Sequence, residues 1–189
     1  MPIIQATPPA EEPITLEDAR VQCQIDADIT DEDALIDQFI AAAASFCETF
    51  TGRPLITQEK QYIGGFGKLI ELTPNLLSVE SVTYIDVDGA TQTLDPVTYY
   101  IDTASVVGRI VPLESWPSVK SGHPQPVTVN FTCGYGAAAD VPDSIKQCMR
   151  MLVAHWYRNR EAVIVGVSAG PIDFAVDALL NPHRVMRIG

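Results

Sequence analysis

Two neighbouring apolar stripes run along the segment Asp31 to Gly52. Leu35, Phe39, Ala42, Phe46 and Phe50 make one, and Ile36, Ile40, Ala43 and Cys47 make the other, both at helical spacing. Asp31, Glu32 and Asp33 crowd the predicted start, where acidic groups complement the helix dipole, and Gly52 followed by Pro54 marks the stop. A helix apolar over that much of its circumference packs against more than one neighbour. Upstream, "TLEDARVQC" predicts a shorter helix, with Thr15 as N-cap, Glu17 and Asp18 in the first turn, and Leu16, Ala19 and Cys23 inward.

From Leu55 to Phe131 the helical period disappears. "ITQEKQYIGGFGKLIEL", "SVESVTYIDVDGATQTL", "TYYIDTASVVGRIVP" and "PVTVNFTCGYG" read as short strands, with Asp88-Gly89 as a hairpin signal. Pro112, Pro117, Pro124 and Pro126 confine "LESWPSVKSGHPQP" to a loop or sheet edge. The helical register returns at Pro142, placed for a first turn. Val141, Ile145, Cys148, Leu152, Trp156 and Asn159 then follow a buried-stripe spacing, in a helix expected to run to Ala162. "VGVSAGP" reads as a loop, "DFAVDALL" as a short helix and "NPHRVMRIG" as a tail.

The predicted fold is therefore α+β: a small helical bundle with an inserted β-rich module of short antiparallel strands, sandwich- or barrel-like. Its expected divisions are a flexible N-terminal arm over 1–14, bundle residues 15–54, the inserted module 55–135, further bundle residues 136–181, and a docking tail 182–189. Four prolines and no periodicity support the mobile arm.

Composition narrows the function classes. The 189 residues carry a formal charge of −12, from 24 acidic and 12 basic side chains, which argues against a surface that grips nucleic-acid phosphates. Charged residues make up 19%, below the roughly 25% usual for soluble domains, so some apolar surface is expected to serve partners. Cys23, Cys47, Cys133 and Cys148 form no CxxC pair and read as reduced core residues of a cytosolic protein. No basic and apolar leader opens the chain, and no apolar run reaches the roughly 20 residues that span a bilayer, so no membrane partner is expected.

Candidate chemistry is thin. "GGFGK" (64–68) lacks the Ser or Thr and the following helix of a phosphate loop and reads as a flexible β-turn. Cys148 and His155 are seven residues apart, two helical turns, so they cannot share a proton; His123 and His183 have no ligand spacing. No catalytic residue, cofactor or metal is expected. The cluster Asp26, Asp28, Asp31, Glu32 and Asp33 leaves a small acidic hydrolase open as an alternative, although a solvated helix start explains the same residues. "NFT" at Asn130 falls in a predicted strand and should carry no sugar.

The polar groups that retain a functional reading are Arg158 and Arg160, at the end of the long helix, and the tail residues His183, Arg184, Val185, Met186, Arg187 and Ile188. The two arginines favour a helix dipole or pair a neighbour's carboxylate; the basic and apolar tail has the character of a docking strand.

"ITLEDARVQCQID", "DEDALIDQFIAAAASFCETFTGRPLITQ", "VTVNFTCGYG", "VPDSIKQCMRMLVAHWYRNREAV" and "VDALLNPHRV", in this order from Ile14 to Val185, resemble the head-tail connector (adaptor) proteins of long-tailed bacteriophages and gene transfer agents. The resemblance implies a structural subunit of the virion neck, assembled in the host bacterial cytoplasm. It implies a ring, commonly of twelve copies, beneath the portal protein, receiving stopper or tail proteins, with DNA passing through the channel without specific binding. It implies no enzyme activity. "HWYRNRE" would then belong to the bundle core and "HRVMRIG" to a tail engaging other ring components. Another neck ring, a stopper or tail terminator, remains a second alternative.

Overall fold

The computed structural model describes residues 3–160 and 171–186, with side chains from 175 onward in the last segment. Two compact units divide the chain: Met1–Ala10 with Thr57–Tyr135, and Glu11–Ile56 with Gly136–Gly189. The α+β fold class expected from the patterning is borne out by four helices and two antiparallel sheets among the described residues.

The β unit holds β1 (Ile3–Thr7), β2 (Gln58–Gly64), β3 (Ile70–Pro74), β4 (Leu76–Ile85), β5 (Thr91–Thr93), β6 (Tyr99–Asp102), β7 (Val107–Pro112) and β8 (Val127–Cys133). One sheet has the order β1-β2-β8-β4-β5 and the other β3-β7-β6, all neighbours antiparallel. The central strand β8 alternates, with Val127, Val129, Phe131 and Cys133 buried; both sheets contribute to one core that also holds Tyr62, Leu72, Val82 and Ile110. The Asp88-Gly89 hairpin forms as expected between β4 and β5: Gly89 takes φ +90°, and the Asp86 carboxylate accepts from the amides of Asp88 and Ala90.

One expectation needs correction. The first residues do not form a free arm: Ile3–Thr7 is β1, paired with β2 from Ile3 opposite Tyr62 to Thr7 opposite Glu59. Only Ile3 packs toward the core, so backbone hydrogen bonding rather than side-chain pattern makes this strand.

The helical unit holds α1 (Leu16–Cys23), α2 (Asp33–Thr51), α3 (Asp143–Arg158) and α4 (Pro171–Leu180). Thr15 caps α1 through a reciprocal box with Asp18, and Gly52 ends α2 in the left-handed conformation at φ +69°, both as expected. The core stripe of α2 is Ile36, Ile40, Ala43, Cys47 and Thr51, whereas Leu35, Phe39 and Phe50 are half-buried and Ala42 and Phe46 exposed. Phe39 meets Trp156 of α3 at 6.3 Å between ring centroids.

The helix α3 is shorter than its pattern predicts. Pro142 is its N-cap and Asn159 its C-cap, where the backbone leaves the helical conformation (φ −122°, ψ 67°) while the Asn159 amide (3.0 Å) and side chain (2.9 Å) both donate to the His155 carbonyl. Trp156 is half-buried and Asn159 exposed, so the buried stripe stops at Leu152. The expected end at Ala162 lies outside the described residues.

Candidate partner interface

Around the end of α3, the two arginines part company. Arg160 forms an ion pair with Glu32 (2.7 Å), the residue preceding α2, and lies over its own neighbour Tyr157 at 4.7 Å from the ring centroid. The Tyr157 hydroxyl donates to the same Glu32 carboxylate, which these two partners, Tyr157 first, hold below its ordinary pKa. Arg160 is thus engaged within the chain. Arg158 is exposed, forms no ion pair with a described residue, and lines a cleft of about 300 Å³ with Gln22, Met151, Ala154, His155 and Asn159.

The tail residues divide as well. Asn181–His183 make a 3₁₀ turn, after which the chain is fastened to the ends of α2 and α3. Arg53 donates through Nε to the His183 carbonyl (2.8 Å), Ser144 Oγ and His183 Nε2 are hydrogen-bonded (2.7 Å), and the Val185 amide donates to the Thr51 carbonyl (2.8 Å). The Arg184 guanidinium sits 5.3 Å from the centroid of the Phe50 ring. Burial, then the Arg53 charge, lowers the His183 pKa, as expected for an imidazole that packs as a neutral group. Met186 is 83% exposed, and Pro182 and Arg184 are exposed as well; Arg187 and Ile188 lie outside the described residues.

Several chemistry-like residues prove to be packing. All four cysteines are buried and free. Cys148 lies against Cys47 of α2, and that hydrogen bond together with burial pushes the Cys47 thiol well above its ordinary range, which leaves it a neutral packing group. The glycine loop between β2 and β3 is pinned: Phe66 stacks on Trp116 at 4.5 Å, Trp116 Nε1 donates to the Gly67 carbonyl, and Tyr62 donates to the Gly65 carbonyl. The Asn130 amide group is held between Gln61 and Ser81.

The acidic cluster at the start of α2 does not converge on a reaction centre. Asp33 accepts a bidentate pair from Arg20, and Glu32 holds Tyr157 and Arg160. A raised carboxylate occurs elsewhere, at Glu12, in a cleft of about 380 Å³ with Glu11, Ile14, Leu16, Asp37 and Ile40. Burial is the main cause, followed by the charges of Glu48 and Asp37. Sequence reasoning missed Glu12 because it stands in a proline-rich stretch with no periodicity, and only folding brings it beside Asp37. Among the described residues no group of three or more His, Cys, Asp or Glu side chains is placed to hold a metal, and no helix is long and apolar enough to cross a membrane.

The described residues thus form a small β sandwich joined in sequence to a helical unit, with Arg158 and Arg160 at the C-terminal end of α3 and the tail fastened near its N-terminal end, at Ser144. Residues 14–170 match the family model "Head completion protein", and the chain belongs to that family. The expected kinship with head-tail connectors is borne out. No curated protein matches. Among solved structures, a chain in the neck of an empty gene transfer agent (GTA) particle computed with C6 symmetry is similar at 22% identity and TM-score 0.81, covering 100% of this chain and 97% of that one. A chain of the native GTA virion has TM-score 0.82, and one from the native GTA neck computed with C12 symmetry has 0.74, at the same identity and coverage.

Proposed function

We propose that this chain is a connector subunit of the neck of a tailed phage or gene transfer agent, forming a ring that joins the head to stopper or tail proteins. One observation carries the reading: the whole chain, both units included, is similar to nearly the whole of a chain found in particle necks. Those necks were computed with C6 and C12 symmetry, and a ring of twelve copies satisfies both. The ring sits beneath the portal protein and is built in the host bacterial cytoplasm.

The charge suits a DNA passage. Twelve copies at −12 each would carry about −144, and a wall poor in Lys and Arg lets phosphates slide past without being trapped. Image averaging of isolated necks tests the reading by counting copies and identifying the axial neighbours. Particles lacking this chain are expected to hold packaged heads without tails; particles that keep normal tails would refute the assignment.

A further inference from the structure

We propose that the outward face of α2 between Gln38 and Phe50 is where a second copy of this chain packs. The inference rests on the ring reading above and goes further by assigning a face to the contact. The exposed positions of this stretch are Gln38, Ala41, Ala42, Ser45, Phe46 and Thr49, and not one is charged. A helix that faces only water normally carries charged residues there. Phe46 is 39% exposed and stacks on Phe50 at 6.2 Å between centroids, so an aromatic pair stands beside small residues that let another backbone approach closely.

Charge selects the occupant. Asp37 and Phe46 are nine residues apart, which places them on opposite sides of the helix. The Asp37 side adjoins Glu12 and is acidic; the Phe46 side is neutral and ends in a cation, Arg184, over Phe50. Two copies at −12 repel wherever carboxylates meet, so contact is favoured where one copy brings no carboxylate and offers a positive edge to the acidic surface of the other. The stretch is about 18 Å long by roughly 10 Å wide, well below the roughly 800 Å² per partner of a stable pair. An isolated pair is therefore weak, and ring closure stabilises it by engaging every copy twice.

Replacing Phe46 with the photo-crosslinking p-benzoylphenylalanine keeps a phenyl ring at the contact. After assembly into necks and irradiation, mass spectrometry is expected to find an adduct to another copy of this chain; an adduct to a different neck protein, or none, overturns the inference. In parallel, Ala42→Glu and Phe46→Glu are expected to abolish ring incorporation while the free chain melts like the wild type. Rings formed by both variants as by the wild type would also overturn it. If wild-type necks contain no ring of this chain, the ring reading itself falls, before any substitution is made.

Discussion

Arg20 of α1 and Asp33 of α2 are joined side by side, through Nε at 2.9 Å and Nη2 at 2.6 Å, while Nη1 and Nη2 also reach the carbonyls of Ala27 and Ile29 at 3.3 and 3.2 Å. One guanidinium thereby fixes both helices and the loop between them. A lysine cannot reproduce this planar fork. Arg20→Lys is expected to lower unfolding stability by about 1–2 kcal/mol, allowing for the partial exposure of both groups; urea denaturation gives the value, and an unchanged midpoint would deny the clamp its role.

His183 gives the tail fastening a pH dependence. Its folded pKa lies below the ordinary 6.5, so the unfolded chain takes up the proton first. The contribution to stability is complete above pH 6.5 and is lost as pH falls below it. Melting temperatures measured between about pH 7.5 and about pH 5.5 should fall more for the wild type than for His183→Gln, which keeps a neutral hydrogen-bonding group beside Ser144.

At Glu12 the sign reverses. Its folded pKa is raised, so the ionised form disfavours the fold, and the strain appears as pH rises from the unfolded value of 4.5 through the folded pKa. Glu12→Gln should stabilise the protein at neutral pH, with the difference vanishing in acid. A destabilised Glu12→Gln at neutral pH would instead mean that the carboxylate has a favourable partner.

In the β unit, Gly108 of β7 has no room for a side chain: a Cβ there would overlap the Leu76 side chain. Gly108→Ala is expected to cost about 1–3 kcal/mol through forced displacement of Leu76. Thermal unfolding measures it.

Truncation of the tail separates anchoring from docking. Removing Pro182 to Gly189 takes away His183 and Val185 along with their bonds to Ser144, Arg53 and Thr51, and should lower the melting temperature. Removing only Met186 to Gly189 leaves those bonds in place. The shorter deletion should melt like the wild type, and any loss of neck joining it causes then reports on docking alone.

Much of the architecture was legible in the chain because periodicity and local chemistry act over a few residues. Thr15 with Asp18 and Gly52 placed helix ends, the alternation from Val127 to Cys133 marked a central strand, and the two stripes of α2 announced an unusually apolar helix. Periodicity could not say which stripe of α2 is core, since Phe46 is as apolar as Cys47. Space chose: the smaller Ala43 and Cys47 admit the close approach of α3, and the phenylalanines are left at the flank. The β1 strand was equally hidden, because its pairing with β2 is made by backbone groups that every residue possesses.

The motif that looked most chemical, from Cys148 to Arg160, shows the same division. Its residue types and spacing established an amphipathic helix with cations near the end. Whether those cations were available to a partner depended on Glu32, more than a hundred residues away, and on Asn159 closing the helix. Local sequence sets which backbone conformations and faces are favourable; long-range contacts allocate each charge to a partner, because an ion pair is a property of two positions that only the fold brings together.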